Sequence, residues 1–208
     1  MAAPRGIETP EPIKGERCDD ATVIARSLDD PEQFAVVFRR HAPDIHRYVV
    51  RRLGPGAADD VVAETFLTAF RFRSRYRSDR ADARPWLYGI ATNLIGQHRR
   101  EKVRQYRIRQ AAIPDLDTPG HAEQVAADVT ARAVRGLLVT ALDELRPDDR
   151  DVLILIAWEE LTYHEAARAL GIPVGTVRSR LNRARAVIRK VLAAYGHSRT
   201  FQELLGDD

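Results

Sequence analysis

The sequence predicts an all-α protein of two small helical domains joined by a flexible linker, the second of them a helix-turn-helix domain. Apolar residues recur at the three- and four-residue spacing of amphipathic helices, and no stretch alternates as a strand does. Prolines and glycines break this pattern around residue 55 and again between residues 110 and 133. At 208 residues the chain is long enough for two such domains.

The first residues of the chain and its composition indicate the cellular compartment of the protein. Residues 1–28 contain three prolines by Pro12 and little periodicity, which predicts a flexible N-terminal extension. The single cysteine, Cys18, rules out an internal disulfide and favours a reducing compartment. No apolar run has the length of a membrane span, and the first residues lack the apolar core of a signal peptide. We expect a cytoplasmic protein without membrane insertion.

The first domain is predicted over residues 29–109 and holds three helical stretches. Helical spacing of apolar residues begins at Phe34 and ends at the breaking sequence of residues 54–56. A second amphipathic helix begins near Asp60, because an acidic residue suits a helix N-terminus. Pro85 opens a third helix after a basic, loop-like stretch.

The third helix carries a polar stripe. At about 100° per residue, Asn93, Gln97 and Arg100 fall on one side of it, away from the apolar positions. Such a side is suited to lie along a nucleic-acid strand. Trp86 is assigned to the core, since aromatic residues at helix starts are more often packed than used as stacking platforms.

The linker and the second domain follow. Residues 110–133 hold two prolines, a glycine and scattered acids, which is typical of a linker. The second domain is predicted over residues 134–195, and residues 196–208 form a C-terminal tail.

A helix-turn-helix pattern lies within the second domain. Thr162 can cap a short helix, Gly171 supplies the turn, and Pro173 suits the first position of the next helix. An apolar seam is predicted along this second helix at Val177, Leu181, Ala184, Ile188 and Val191.

The second helix of this pattern is strongly basic. Residues 171–190 contain six Lys or Arg and no acid, whereas residues 115–165 are rich in Asp and Glu. The alternative, an ordinary solvated face, fits poorly because solvated helices usually interleave acids with bases. A helix with one packed side and another side of arginines and amides is typical of a recognition helix that binds DNA.

Three stretches, in the same order, resemble one known family. They are DDVVAETF at residues 59–66, PWLYGIATNL at residues 85–94 and GIPVGTVRSRLNRAR at residues 171–185. They are similar to the polymerase-binding helix, the minus-10-reading helix and the minus-35-reading domain of ECF sigma factors, the small alternative sigma factors of bacterial RNA polymerase. The resemblance implies a protein that binds core RNA polymerase, directs it to promoters and promotes promoter melting.

The resemblance also implies contact residues. Those expected to bind core polymerase are Asp60, Glu64 and Thr65, of which the two acids share a helix face. Those expected at the minus-10 element are Arg75, Tyr76, Arg80, Asn93, Gln97 and Arg100. Those expected at the minus-35 element are Thr176, Arg178, Ser179, Asn182 and Arg183.

Three positions depart from the residues common in the family. Ala63 stands where Gln is common, Gln97 where Asp is frequent, and Asn182 where an aromatic residue or His is frequent. The last two lie among the expected DNA contacts, so the promoter sequence does not follow from the resemblance.

Other classes of function find less support. The six histidines lack ligand-like pairing with Cys or carboxylates, and no glycine loop could cradle a phosphate. We expect no enzyme activity, catalytic residue, metal, cofactor or small-molecule substrate. The alternatives are a homodimeric helix-turn-helix regulator and a nuclease or recombinase, the last of which would need a carboxylate metal cluster. The expected partners are core RNA polymerase and promoter DNA, and an anti-sigma protein is left open.

Overall fold

The computed structural model describes residues 18–112 and 138–194, together with residue 136. The regular secondary structure of this part is helical, with no strand, which confirms the all-α prediction. Its helices are α1 (Asp20–Arg26), α2 (Phe34–Leu53), α3 (Ala58–Phe72), α4 (Arg84–Ala112), α5 (138–143), α6 (Pro147–Ala157), α7 (Tyr163–Leu170) and α8 (Val174–Ala194). Among the described residues, no helix combines the length and the apolar character that crossing a membrane requires.

The described residues fall into two compact units. One unit ends at Leu87 and the other begins at Tyr88, so the division lies inside α4. The predicted C-terminal tail lies outside the described residues, as does the predicted linker beyond residue 112.

Helices α2 and α3 form the centre of the first unit. The ring centroids of Phe34 and Phe70 are 5.4 Å apart, those of Phe38 and Phe66 are 4.9 Å apart, and both pairs meet edge-on. Because the earlier residue of α2 pairs with the later residue of α3, the two helices run antiparallel. Each such pair contributes about 0.5–1.5 kcal/mol beyond its buried area.

Helix α1 lies within the stretch predicted to be a flexible extension, and that prediction is wrong from residue 20 onward. The Asp19 side chain caps α1 by accepting the backbone N–H of Thr22 at 2.8 Å. Val23 and Ile24 are almost completely buried. Residues assigned to the extension by the sequence therefore belong to a capped and partly buried helix.

A buried carboxylate fastens α1 to the rest of the first unit. Asp20 accepts hydrogen bonds from Arg40 Nη1 at 2.8 Å and from the Ala83 N–H at 3.0 Å, and its Oδ2 lies 2.7 Å from His41 Nε2. Burial raises the pKa of Asp20, but the hydrogen bonds with His41 and Ala83 outweigh it and lower the pKa to about 2. The carboxylate thus joins α1, α2 and the loop before α4.

The helix-turn-helix of the second unit has the predicted cap and turn, but Pro173 precedes the second helix and does not take its first position, because α8 begins at Val174. Thr162 and Glu165 form a reciprocal capping box at the start of α7. Gly171 has a φ of 64°, a left-handed conformation that favours glycine, and it ends α7. The buried seam of α8 consists of Val177, Leu181, Ala184, Ile188 and Leu192.

The last position of that seam corrects the prediction. Val191 was expected to be buried, but it is only half-buried, while Leu192 is 2% exposed. Over several turns the period of 3.6 residues moves the buried side by one position.

Helix α4 contacts α7 and the turn that precedes it in the second unit. The Tyr88 hydroxyl donates to Glu159 Oε2 at 2.6 Å, and both side chains are buried. A β-carbon on Gly89 would lie within 3.3 Å of three backbone atoms of Ala169, closest to its carbonyl oxygen. Only glycine allows α4 to approach α7 this closely.

Candidate nucleic-acid interface and polymerase-binding surface

The face of α8 opposite its buried seam presents most of the residues predicted for the minus-35 element. Arg178, Ser179, Asn182 and Arg183 are exposed, and Thr176 is half-buried. The Ser179 hydroxyl donates to the Thr176 carbonyl oxygen at 3.0 Å, within the first turns of the helix. The structure therefore brings these residue types together on one accessible surface, as the helical period predicted.

Two acids of α6 engage arginines of α8, which the sequence did not reveal. Arg183 donates from Nη2 to Asp149 Oδ1 at 2.8 Å and from Nε to Asp149 Oδ2 at 3.2 Å. Arg180 donates to Asp148 Oδ2 at 2.7 Å. The hydrogen bond to Asp149 raises the pKa of Arg183. Asp148 and Asp149 follow Pro147, and in the sequence they resemble an ordinary acidic first turn of a helix.

Other predicted DNA-contacting side chains are unengaged in this structure. Within the described residues, no hydrogen bond or ion pair involves the side chains of Arg178 and Asn182 on α8. The same holds for the predicted stripe of α4, where Asn93, Gln97 and Arg100 are all exposed. Both surfaces offer amide and guanidinium groups to a partner.

The loop before α4 is built around Tyr76. Its hydroxyl donates to the backbone carbonyl oxygens of Arg80 at 2.7 Å and Asp82 at 3.0 Å. Its ring lies 5.0 Å, centroid to centroid, from that of Trp86. Trp86 was assigned to the core, but it is only half-buried beside Tyr76. The hydroxyl of Tyr76 supports the loop, so any contact with DNA would use its ring.

The arginines of this loop have different environments. Arg73 donates to the carbonyl oxygens of Phe70 and Ser27 and stacks on the Phe70 ring, with 3.9 Å from guanidinium carbon to ring centroid. Arg77 is paired with Asp79. Arg75, predicted at the minus-10 element, is exposed, and Arg80 is half-buried.

The polymerase-binding surface predicted on α3 retains its two acids. Asp60 and Glu64 are exposed one turn apart, and Leu67, 41% exposed, follows on the same side. Thr65 is completely buried, and its hydroxyl donates to the Val61 carbonyl oxygen at 2.6 Å. The side chain of Thr65 therefore faces the interior, where a partner protein cannot reach it.

One group of side chains has the proximity of a metal site. Ligand atoms of Asp20, His41 and Asp82 all lie within 4.8 Å of one another. The Asp20 oxygens, however, already accept from Arg40 and the Ala83 N–H, and a guanidinium beside the carboxylate disfavours a cation. We interpret this group as an ion-pair network.

Comparison with known families gives two matches. The family model "Sigma-70 region 2" matches residues 37–105, and "Sigma-70, region 4" matches residues 135–188. These ranges contain the surfaces described above on α3, α4 and α8.

Comparison with individual proteins gives relatives of similar length. The chain is 35% identical over 173 residues to the ECF RNA polymerase sigma factor SigC of Mycobacterium tuberculosis, covering 80% of this chain and 89% of SigC. It is 33% identical over 181 residues to the ECF sigma factor SigL of the same organism, covering 86% of this chain and 99% of SigL. Among solved structures, CnrH in complex with the cytosolic domain of CnrY is 27% identical, with a TM-score of 0.58, covering 84% of this chain and 97% of CnrH.

Proposed function

We propose that this chain, which belongs to the ECF sigma factors and directs RNA polymerase to promoters, reads the minus-35 element with α8 and the minus-10 element with α4. The observation that carries the proposal is the exposed face of α8, where arginine and amide side chains stand opposite a continuous buried seam. A major groove admits one helix, and only the face turned toward it can read base edges.

Discrimination at the minus-35 element is assigned to the first turns of α8. Arg178 lies there, and an arginine that donates two hydrogen bonds to a guanine edge discriminates by about 1–3 kcal/mol. Arg189 and Lys190 lie three turns further along and are exposed. We assign these two residues to phosphates, which contribute affinity without sequence preference.

The minus-10 element is assigned to the stripe of α4. Melting DNA requires bases to leave the stack, which costs a few kcal/mol per base and must be offset by new contacts. Asn93 can donate to and accept from an unstacked base, while Arg100 adds positive charge on the same stripe. The exposed Arg75 and the Tyr76 ring in the preceding loop are proposed to assist.

Core polymerase is proposed to dock on the exposed side of α3. Asp60 and Glu64 supply negative charge, and Leu67 supplies apolar area between charged residues. Such a stripe suits a helical partner with basic and apolar side chains. Thr65 is left out of the contact set because it is buried.

Further partners and the place of action follow from this role. We propose that the chain acts in the cytoplasm with core polymerase and catalyses no reaction itself. The solved relative CnrH is in complex with the cytosolic domain of CnrY. By analogy, an anti-sigma protein is included among the proposed partners of this chain.

The proposal is tested by transcription in vitro with the purified full chain, core RNA polymerase and a promoter library. We expect transcripts only when both proteins are present, from promoters that share two sequence elements. Glu64→Arg should reduce core binding several-fold in a pull-down titration, while the matched control Glu32→Arg, at an exposed acid elsewhere in the first unit, should not. A palindromic footprint without polymerase would instead support the homodimeric regulator.

A further inference from the structure

We infer that Asp149 is a positioning residue for DNA recognition, which fixes one edge of the Arg183 guanidinium and leaves the other edge facing outward. The inference rests on the proposed function of α8. Asp149 is 4% exposed and accepts two hydrogen bonds from Arg183. The side chain of Arg183 is nevertheless 50% exposed. The pair thus joins a buried acid to an accessible cation.

The hydrogen-bond inventory of Arg183 shows what remains for a ligand. A guanidinium carries five N–H groups, and Asp149 accepts from one on Nε and one on Nη2. Five minus two leaves three N–H groups, both on Nη1 and one on Nη2. A guanine presents N7 and O6 in the major groove, and neighbouring N–H groups of Nη1 and Nη2 can bind both. The two hydrogen bonds to Asp149 therefore leave available the end of the Arg183 guanidinium that bidentate recognition of guanine requires.

Fixing this side chain in advance changes how it can act on DNA. A free arginine loses rotamer freedom when it binds, and part of that loss has already occurred in Arg183. A mobile arginine can also move to the nearest phosphate, which would give affinity without base preference. By holding one edge, Asp149 restricts Arg183 to a narrow range of directions. The expected effect is on discrimination between base pairs more than on affinity.

The neighbouring pair of acid and arginine supplies a matched control. Asp148 lies beside Asp149 on α6 and accepts one hydrogen bond from Arg180 at 2.7 Å. Its side chain is 66% exposed, against 6% for Asp149, while that of Arg180 is only 20% exposed. In this pair the acid is exposed and the arginine is largely buried, the opposite of the pair of Asp149 and Arg183. Arg180 is therefore less accessible to DNA than Arg183.

The competing interpretation is that Asp149 only fastens α6 to α8. Both interpretations predict some loss of stability when Asp149 is changed, so stability alone does not separate them. They differ at the DNA, because a simple fastening would affect all base pairs of the minus-35 element alike.

The experiment measures binding of the holoenzyme, full chain with core polymerase, to promoters that carry every single-base-pair change in the minus-35 element. We expect Arg183→Ala to reduce discrimination at one base pair about tenfold or more. Asp149→Asn, which keeps the side-chain shape, should reduce it at the same base pair. The double variant should be no worse there than Arg183→Ala alone, because the two residues act as a unit. Arg183→Lys keeps the charge without the bidentate geometry and should also lose discrimination.

The control Asp148→Asn should leave the discrimination pattern unchanged. Uniform weakening across all base pairs by Asp149→Asn, or unchanged discrimination, would overturn the inference while leaving the proposed function intact. If the wild-type holoenzyme showed no base preference at all in the minus-35 element, both the proposed function of α8 and this inference would fail. Thermal unfolding of each variant confirms that the compared proteins are folded.

Discussion

The two units each contain a buried aspartate paired with an arginine, and the two pairs differ in what the arginine can still reach. Asp20 in the first unit is 5% exposed and Asp149 in the second is 4% exposed. The Arg40 side chain that pairs with Asp20 is 26% exposed. His41 and the Ala83 N–H are the other hydrogen-bond partners of this acid. The Arg183 side chain that pairs with Asp149 is 50% exposed. The same type of ion pair is largely enclosed in the first unit, whereas in the second unit its arginine remains accessible to a partner.

This difference separates a structural acid from one proposed to serve recognition. The partners of Asp20 are Arg40, His41 and Ala83, which lie 20, 21 and 63 positions further along the chain. These hydrogen bonds therefore stabilise tertiary structure. Asp149 connects two helices through a side chain that also faces solvent. Changes at Asp20 should therefore act on folding alone, whereas changes at Asp149 should also alter DNA discrimination, beyond any loss of stability.

The largest expected effect is that of Asp20→Ala on stability. The change removes the carboxylate that accepts from Arg40 and the Ala83 N–H and pairs with His41, and loss of one partner of a buried ionic network costs about 3 kcal/mol. The free energy of unfolding, measured by urea titration, should fall by about this amount. In the control Asp79→Ala, where both side chains of the ion pair are exposed, it should change little. Equal effects of the two variants would contradict the structural role of Asp20.

The pH dependence of stability provides a second test of the ion-pair network around Asp20. The pKa of Asp20 is about 2 in the folded protein against its usual value of 3.8. At 1.36 kcal/mol per pKa unit, the ionised form contributes about 2 kcal/mol to stability. Because the pKa is lowered by folding, this contribution is present above pH 3.8 and is lost as the pH falls through 2.

The measurement compares unfolding of the wild type and of Asp20→Asn at about pH 5 and about pH 2. The difference in stability between the two proteins should shrink at the lower pH, because about half of the folded wild-type carboxylate and nearly all of the unfolded one are then protonated. A difference that stays constant with pH would show that the charge of Asp20 is not what stabilises α1.

Arg178 differs from Arg183 because no acid of the described residues pairs with its side chain. Arg178→Ala should reduce discrimination at one minus-35 base pair by about 1–3 kcal/mol. Its effect should add to that of Asp149→Asn, since no hydrogen bond or ion pair in the described structure joins the two residues. The measurement is a titration of single-base-pair promoter variants at two salt concentrations. As a control, Lys190→Ala should weaken all variants equally and reduce the salt dependence. Uniform weakening by Arg178→Ala would assign this residue to a phosphate.

The smallest effect is expected on α4, where Asn93 also lacks an internal partner in the described structure. Asn93→Ala should reduce formation of the open complex several-fold, with little change in binding to the closed duplex, because Asn93 is proposed to bind an unstacked base. Permanganate reactivity of the melted region reports this difference. Gln105→Ala, at an exposed amide three turns later on the same helix, is the matched control. Wild-type reactivity for Asn93→Ala would move base reading to another residue.

Sequence periodicity was sufficient for the parts of the fold that local pattern determines. The first four positions of the α8 seam and the exposed position of Arg178 follow from the helical period and from the turn at Gly171. The burial of Thr65 could also have been predicted, because it lies between Val61 and Ala69 on the apolar side of α3. The resemblance to a family motif implies a contact role for Thr65, whereas its position on the helix predicts a buried side chain.

The features that the sequence did not reveal depend on contacts between distant residues. Helix α1 is only seven residues long, and Asp20 connects it to residues as far away as Ala83. Isolated helices of this length are unstable in water, so tertiary contacts decide the outcome. The pairing of Asp149 with Arg183 likewise spans 34 positions. Its acid could be recognised only once α6 and α8 were placed side by side.

The close approach of α4 to α7 has a consequence for how this chain can diverge. A side chain at residue 89 would meet backbone atoms of Ala169, which cannot rotate away, so the two helices would have to separate. The same separation would stretch the 2.6 Å hydrogen bond between Tyr88 and Glu159. We therefore expect a substitution of Gly89 in a related chain to be accompanied by substitutions on the α7 surface that it faces. Across related chains, residue 89 and the α7 surface are expected to vary as a correlated group.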